Sequence, residues 1–370
     1  MTNITSAAAG AAADAAAAAV RFREKLAALK TAAANYLPES KEELSVFLRE
    51  LKECTVIRAK EGLSSLAYLD LIKKIITVLS AYAGINFVSD YQKLSVTDSI
   101  TFYSFQLPGG GNLNLFDTPE GKLVVDTGYG CFFESCREMA GHLGLGDFSD
   151  VKKVICTHGD TDHCGASGYF APPPLMHPVT KALIDAGSRG YGTPNGREIP
   201  EKVYTTVINT LSGQKVSDSV ILTGTEPLAY RGIFPVIGYL SFAGMNFEIW
   251  ESRGGHIAGQ LLLFEPDLGI LFTSDAFINF KTLSEERAAY CSIADSMIGS
   301  VNVNSDVARA ERQELVRLAA AFEPALREKG KSLLICCGHG AVCRLDAGNP
   351  VPAGEILRYR AADYRDKKEQ

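Results

Sequence analysis

Followed from one end to the other, the apolar and polar positions of this chain change texture twice. Residues 1–35 are roughly half alanine, a composition that favours helix and offers little to bury. Pro38 interrupts it, and Ser40 opens a second helix with Glu43 three residues on, the capping-box arrangement. A third helix follows Gly62, where Leu69, Ile72, Ile76, Leu79 and Tyr82 or Ala83 recur at helical spacing. Asp70, Lys73 and Lys74 take its other face. These helices are expected to form a hairpin of structural role, docked on the main domain or on a second subunit, so that a homodimer through them is one expectation.

From about residue 95 the pattern becomes short β-rich runs with turns. Strands are expected over 100–107, 112–116 and 122–126, separated by Pro108-Gly109-Gly110-Gly111 and by Pro119-Glu120-Gly121. A helix over about 132–143 precedes a strand over 151–156. Residues 171–243 are irregular, with helices near 178–187 and 199–212, and read as a wall over whatever site the neighbouring strand ends form. Strands return at 245–250, 260–264 and 269–273. A helix over about 306–329, a strand over 332–336 and a terminal helix after Pro352 complete the reading. Strands alternating with helices in two β-rich halves predict an α/β fold, two sheets covered by helices on the outside. The change of texture divides the chain into a helical extension, residues 1–92, and a main domain, residues 93–370.

Composition narrows the function classes. A net charge of −6 without a basic stripe argues against nucleic acid or an anionic membrane as partner. No run of about 18 uncharged apolar residues is present to span a bilayer. The first residues lack a basic and then strongly apolar segment, and Asp14 interrupts them, so a cytoplasmic location is expected rather than secretion. Nine cysteines without CxxC spacing fit reduced thiols. Adjacent Cys336 and Cys337 cannot easily bridge each other. Cys164 reads as a small buried hydrophobe.

The chemistry lies in the histidines. The densest cluster is Thr157-His158-Gly159-Asp160-Thr161-Asp162-His163, at the end of the strand over 151–156. It offers two imidazoles and two carboxylates, the groups that divalent cations bind. In a strand-end loop His158 and Asp160 can fan around one cation, while Asp162 and His163 reach a second beside it. A carboxylate shared between two cations needs an Asp on a rigid strand end, and Asp275 in Thr273-Ser274-Asp275 suits that place. His256 in Gly254-Gly255-His256 and His339 in Gly338-His339-Gly340 would complete one cation each. His142 and His177 are expected to be structural. Asn279, Arg253 and Tyr239 are conceivable substrate contacts.

Over about residues 95–345 the chain resembles the metallo-β-lactamase superfamily. The resemblance rests on five motifs in the family's order: Val124-Val125-Asp126-Thr127-Gly128, the His158–His163 cluster, Gly255-His256, Leu271-Phe272-Thr273-Ser274-Asp275, and Gly338-His339-Gly340. It implies a four-layer αββα sandwich with the site along one edge. By position, His158, Asp160 and His256 would hold the first cation, and Asp162, His163 and His339 the second, with Asp275 bridging. Asp126 matches the family's buried Asp, which braces the loop without binding metal.

One departure changes the expected metal. Most relatives carry His where this chain has Asp160. Three carboxylates on two divalent ions leave a formal charge of about +1, against about +2 for the usual set. That shifts preference from zinc toward iron or manganese. A similar acid occurs in the flavodiiron reductases of the superfamily, whose appended flavin domain is not expected here. The leading expectation is a metal-dependent hydrolase with two divalent cations, zinc first and iron or manganese as alternatives. The cations would lower the pKa of a shared water from about 15.7 to roughly 7, and Asp162 would orient the hydroxide and carry its proton. The substrate would be a small-molecule ester, thioester or phosphoester. The alternatives are a di-iron protein reducing oxygen with an external electron donor, and a metal-binding sensor without turnover.

Overall fold

The computed structural model describes residues 16–17, 19–27, 41–191 and 198–367. Among the described residues sixteen strands form two sheets. The first half of the described chain supplies β1 Val88–Ser95, β2 Thr101–Gln106, β3 Asn112–Thr118, β4 Gly121–Val125, β5 Val151–Ile155, β6 Leu175–Met176 and β7 Ile221–Leu222. The second supplies β8 Ala229–Arg231, β9 Phe234–Phe242, β10 Met245–Glu251, β11 Leu261–Glu265, β12 Ile270–Ser274, β13 Leu334–Cys337, β14 Cys343–Asp346, β15 Asn349–Pro352 and β16 Leu357–Arg360. The order is β16-β1-β2-β3-β4-β5-β6-β7 in one sheet and β15-β14-β13-β12-β11-β10-β9-β8 in the other. Two of the strands that end at the chemistry, β5 and β13, each run parallel to a neighbour, β4 and β12 respectively.

The sheets face each other across an aromatic core. Phe102 stacks on Phe116 at 4.6 Å, and both meet Phe272 edge-on. Such pairs add to the large area each ring buries. The outer faces are covered by helices α1 Lys41–Lys60, α2 Ser65–Ala81, α3 Phe133–His142, α4 Thr161–Cys164, α5 Pro178–Ala186, α6 Glu198–Leu211, α7 Glu285–Ile298 and α8 Ser305–Glu328. On one side α8 lays Leu315, Leu318, Ala319 and Leu326 on the second sheet. On the other, α1, α2, α6 and α7 pack together over the first sheet. This is the four-layer αββα sandwich the sequence leads one to expect.

The helical extension behaves partly as expected. Tyr68, Leu69, Ile72, Ile75 and Leu79 of α2 are buried, with Asp70, Lys73 and Lys74 exposed. Residues 19–27 are helical, and Lys25 pairs with Asp70 at 2.5 Å. The apolar stripe of α2 is buried in the chain's own core, continuous with that of the first sheet. The expected division at 92/93 falls inside β1. Ser40, and with it the capping box, lies outside the described residues, as does most of 1–35.

One expectation needs correction. No helix follows Pro352 until a 3-10 turn over 361–367; instead β16 adds to β1, with Val88 opposite Arg360. The residues that precede it pair as a β14–β15 hairpin, Arg344 opposite Val351. The sequence reading also passed over α7, whose Ser284 Oγ accepts from the Arg287 N–H at 3.3 Å, a hydroxyl N-cap. Among the described residues no helix is long and apolar enough to cross a membrane.

Candidate metal centre

Four strand ends bring the predicted ligands to one edge of the sandwich. β5 leads into the loop 156–163, β10 into the loop carrying His256, β12 into Asp275, and β13 into the loop carrying His339. Each loop is held by buried groups. Asp126, just past β4, adopts the left-handed conformation at φ 61, which non-glycine residues rarely take. From there its Oδ1 accepts from the Thr157 N–H at 2.7 Å. Its Oδ2 accepts from the Thr157 hydroxyl at 2.8 Å and lies 2.9 Å from His163 Nδ1. The His256 loop has a counterpart brace in Glu311 of α8, fully buried, which accepts from Ser252 Oγ at 2.6 Å and from the N–H groups of Arg253 and Gly255. Sequence reasoning missed Glu311, which looks like any acid on a helix.

The seven candidate side chains converge. Ligand atoms of His158, Asp160 and His256 form one group, and those of Asp162, His163 and His339 another, each within 4.8 Å of one another. Asp275 stands between them. Its Oδ2 is 3.5 Å from His256 Nε2 and 3.2 Å from His339 Nε2, and its Oδ1 is 3.3 Å from His163 Nε2. Gly338 permits this, because a Cβ there would lie 1.8 Å from Asp275 Oδ1. A Cβ on Gly111 would likewise strike the His163 ring at 2.6 Å.

All four imidazoles point Nε2 into the cluster and are held from behind through Nδ1. The partners are Ser274 Oγ at 3.0 Å for His158, Asp126 for His163, Asn302 Oδ1 at 3.3 Å for His256 and Cys291 Sγ at 3.7 Å for His339. Backing of this kind fixes tautomer and ring orientation for metal binding. Two observations test the fit. His158 Nε2 and Asp275 Oδ1 are buried without a hydrogen-bond partner, and His163 Nε2 meets His339 Nε2 at 3.4 Å. A donor set of imidazole nitrogens and carboxylate oxygens that face one another suits divalent cations.

Electrostatics points the same way. Burial alone would lower His163 and His339, yet Asp275 and its neighbours outweigh it and hold both well above the usual imidazole range. Burial opposes ionisation of Asp275 too, and His339 and His163 hold it well below the carboxylate range. A cation among these atoms competes with the protons on the two rings.

A family model described as the metallo-beta-lactamase superfamily matches residues 107–322, more than half of the chain. The chain belongs to the metallo-beta-lactamase superfamily. Similar solved structures include a metallo-beta-lactamase from Pontibacter korlensis (14% identity, TM-score 0.40, covering 68% of this chain and 92% of that one). Another is from Erythrobacter litoralis (16%, 0.37, 68% and 90%). A third is a metallo-beta-lactamase family protein of Thermus thermophilus (19%, 0.37, 70% and 73%). No curated protein matches the chain by sequence.

Within this superfamily member Asp160 occupies an unexpected setting. It stands at the N-cap position of α4, but its side chain makes no capping hydrogen bond. Both oxygens instead accept from Arg189, Oδ1 from Nε and Oδ2 from Nη2, each at 3.0 Å. Although burial opposes it, Arg189 holds the Asp160 carboxyl well below its ordinary range. The same guanidinium reaches Glu201 of α6 at 3.2 Å and the Val301 carbonyl at 2.7 Å. Asp160 Oδ2 remains 3.2 Å from His256 Nε2. The extra carboxylate read from the sequence therefore faces a buried guanidinium, shared with Glu201, that no motif announces.

The other expectations resolve simply. His142 Nδ1 lies 2.8 Å from the Tyr359 hydroxyl and its ring stacks on Tyr364. His177 caps α5, accepting from the Val179 N–H. Cys164 is buried. Arg253 and Tyr239 are exposed, and Asn279 donates to Cys343 Sγ. A narrow cleft, with a cavity volume of about 50 Å³, descends to Asp160, Asp162, Asp275 and His339. Its walls are not the stretch 171–243 alone: beside Tyr204 of α6, which belongs to that stretch, α2 and α7 contribute Ile75 and Tyr290.

Proposed function

We propose that the chain is a metal-dependent hydrolase of a small-molecule ester, thioester or phosphoester. Two divalent cations would be held, one by His158, Asp160 and His256, the other by Asp162, His163 and His339, with Asp275 shared. Zinc comes ahead of iron or manganese as the expected cation, with Arg189 shared between Asp160 and Glu201. The observation that carries this reading is the convergence of four imidazoles and three carboxylates, of which Asp160, Asp162, Asp275 and His339 line a cleft, with each imidazole fixed through Nδ1. Such a pair of cations supplies a nucleophile derived from water at neutral pH and polarises the substrate's oxygen.

The chain's own residues would do the rest. Asp162 lies 3.3 Å from His339 Nε2 and lines the cleft, so its carboxylate would hold the proton given up by the attacking water. Asp126 and Ser274 would keep His163 and His158 in the metal-binding tautomer. The helices above the cleft would exclude bulk water, which strengthens the electrostatics at its floor. The test is turnover by metal-loaded protein carrying Asp162→Ala or His163→Ala, with circular dichroism to confirm folding. Both variants should lose activity while folded; activity surviving in both would end the proposal.

The carboxylate of Asp160 in the first group favours a second reading, a di-iron protein reducing oxygen with electrons from a separate donor. Metal analysis after expression with iron and zinc both available separates the two. Zinc alone, without a visible absorption band, removes the redox reading.

A further inference from the structure

A second cavity, of about 220 Å³, lies against the metal cleft and carries the opposite charge. Tyr290 and Gly109 stand in the walls of both. None of the seven candidate metal ligands lines the second cavity. Arg287 of α7 and Arg358 and Arg360 of β16 do, with Glu286 the one carboxylate in its lining among the described residues. Half-buried Val78 and Tyr82 of α2 and Val88 of β1 give it an apolar flank. That flank and two of the three arginines fall outside residues 107–322, the extent of the family match.

Three guanidiniums at one cavity stand out in a chain of net charge −6. Two of them share a single carboxylate behind the wall. Asp90 accepts from Arg358 Nε at 2.6 Å and Nη2 at 3.1 Å, and from Arg287 Nη1. Asp90 and Glu286 together thus face three positive charges, which leaves one in excess. Arg360 is exposed and pairs with no carboxylate among the described residues. Residues two apart on a strand share a face, so Arg360 projects beside Arg358, their register partners on β1 being Val88 and Asp90. Arg287 is buried, yet its Nε has no hydrogen-bond partner. A buried donor left unmatched is costly, and an anion's oxygen would satisfy it. Guanidinium forks match the geometry of carboxylate and phosphate. The first turn of α7, which contributes Ser284 to the lining, adds the partial positive charge of a helix N-terminus.

We propose that this cavity binds a small organic anion. Its carboxylate or phosphate is held by Arg360 and by the remaining donors of Arg287 and Arg358, and its apolar part lies against Val78, Tyr82 and Val88. The metal centre takes no part in holding it.

The experiment is equilibrium dialysis of the full-length, metal-loaded protein with benzoate, phenylphosphonate and neutral benzamide, one ring with three headgroups. Both anions should bind and benzamide should not, and binding should weaken as salt is added. Arg360→Gln should weaken it about tenfold, the effect of losing about 1.4 kcal/mol with one charge-assisted hydrogen bond. Glu286→Gln should tighten it, a direction that general destabilisation cannot produce. Both positions are exposed, and thermal unfolding confirms that each variant folds. Phenylphosphonate bound ahead of benzoate assigns the site to phosphate monoesters, and the reverse order assigns it to carboxylates. Cations in the neighbouring cleft can also attract these anions, but that binding does not depend on Arg360 or Glu286. Affinity indifferent to both substitutions would therefore place the anion at the metals and overturn the inference. So would benzamide binding as tightly as benzoate, or no binding of either anion.

Discussion

Asp126→Asn is the sharpest probe of how the cluster is held. The substitution keeps the shape and suits the backbone, because Asn is among the few residues that tolerate the left-handed conformation found at φ 61. It changes the hydrogen bonding instead. The carboxylate faces the Thr157 N–H and hydroxyl at 2.7 and 2.8 Å and His163 Nδ1 at 2.9 Å. An amide has one oxygen for these partners, so its NH2 must face either the Thr157 N–H or the His163 ring. Loss of one such charge-assisted bond amounts to about 1.5–3 kcal/mol. Outer partners of metal-binding histidines typically contribute 10–100-fold in affinity, about 1.4–2.7 kcal/mol on the scale of 1.36 kcal/mol per decade. The two estimates agree. The loss should fall mainly on the cation held with His163, and less on the group of His158, which Asp126 reaches only through Thr157. Competitive titration of zinc against a chelator, resolving two binding steps, measures it. No loss at either step, or equal loss at both, would refute the reasoning.

Two further outcomes follow from buried charge. Arg189→Leu strands Asp160 and the fully buried Glu201, and should cost about 3–5 kcal/mol in urea unfolding of the chelated protein. Adding Glu201→Leu should recover more than about 1 kcal/mol of that loss, and strict additivity would show that the pair is not coupled. Away from the site, burial would raise Asp90, but Arg358 and Arg287 hold it below its ordinary 3.8. Its stabilisation is therefore complete above that value and lost as the pH falls through the lowered one. The stability gap between the parent and Asp90→Asn should be constant near neutrality and close in strong acid. A gap that widens in acid would contradict the ion pairs.

The cluster was legible because its chemistry is concentrated in short segments at strand ends, where residue type and local structure agree. The layers were legible for the same reason: β11 to β13 carry nearly unbroken apolar runs, and β3 and β10 alternate apolar with polar residues. Arg189 was not, since Ser188-Arg189-Gly190 reads as a surface turn and only the tertiary fold brings it under Asp160. Nor could α2 reveal that Ile75 lines the cleft. Leu71, Ile72, Ile75, Ile76 and Val78 make that helix apolar on most sides, and the spacing alone favoured Ile76. β16 was hidden by two arginines in Leu357-Arg358-Tyr359-Arg360 and by a partner strand far back in the chain.

The placement of the short strands bears on how the protein behaves among its own copies. Open sheet margins template pairing with another chain unless they are short, charged or interrupted by proline. Each of the four margins here meets one of those conditions. β7 and β8 are two and three residues long, β15 contains Pro350 and Pro352, and β16 carries Arg358 and Arg360. Shortening the chain ahead of Leu357 would strip that guard from the eight-residue β1, turning a protected rim into a seed for fibril-like self-association.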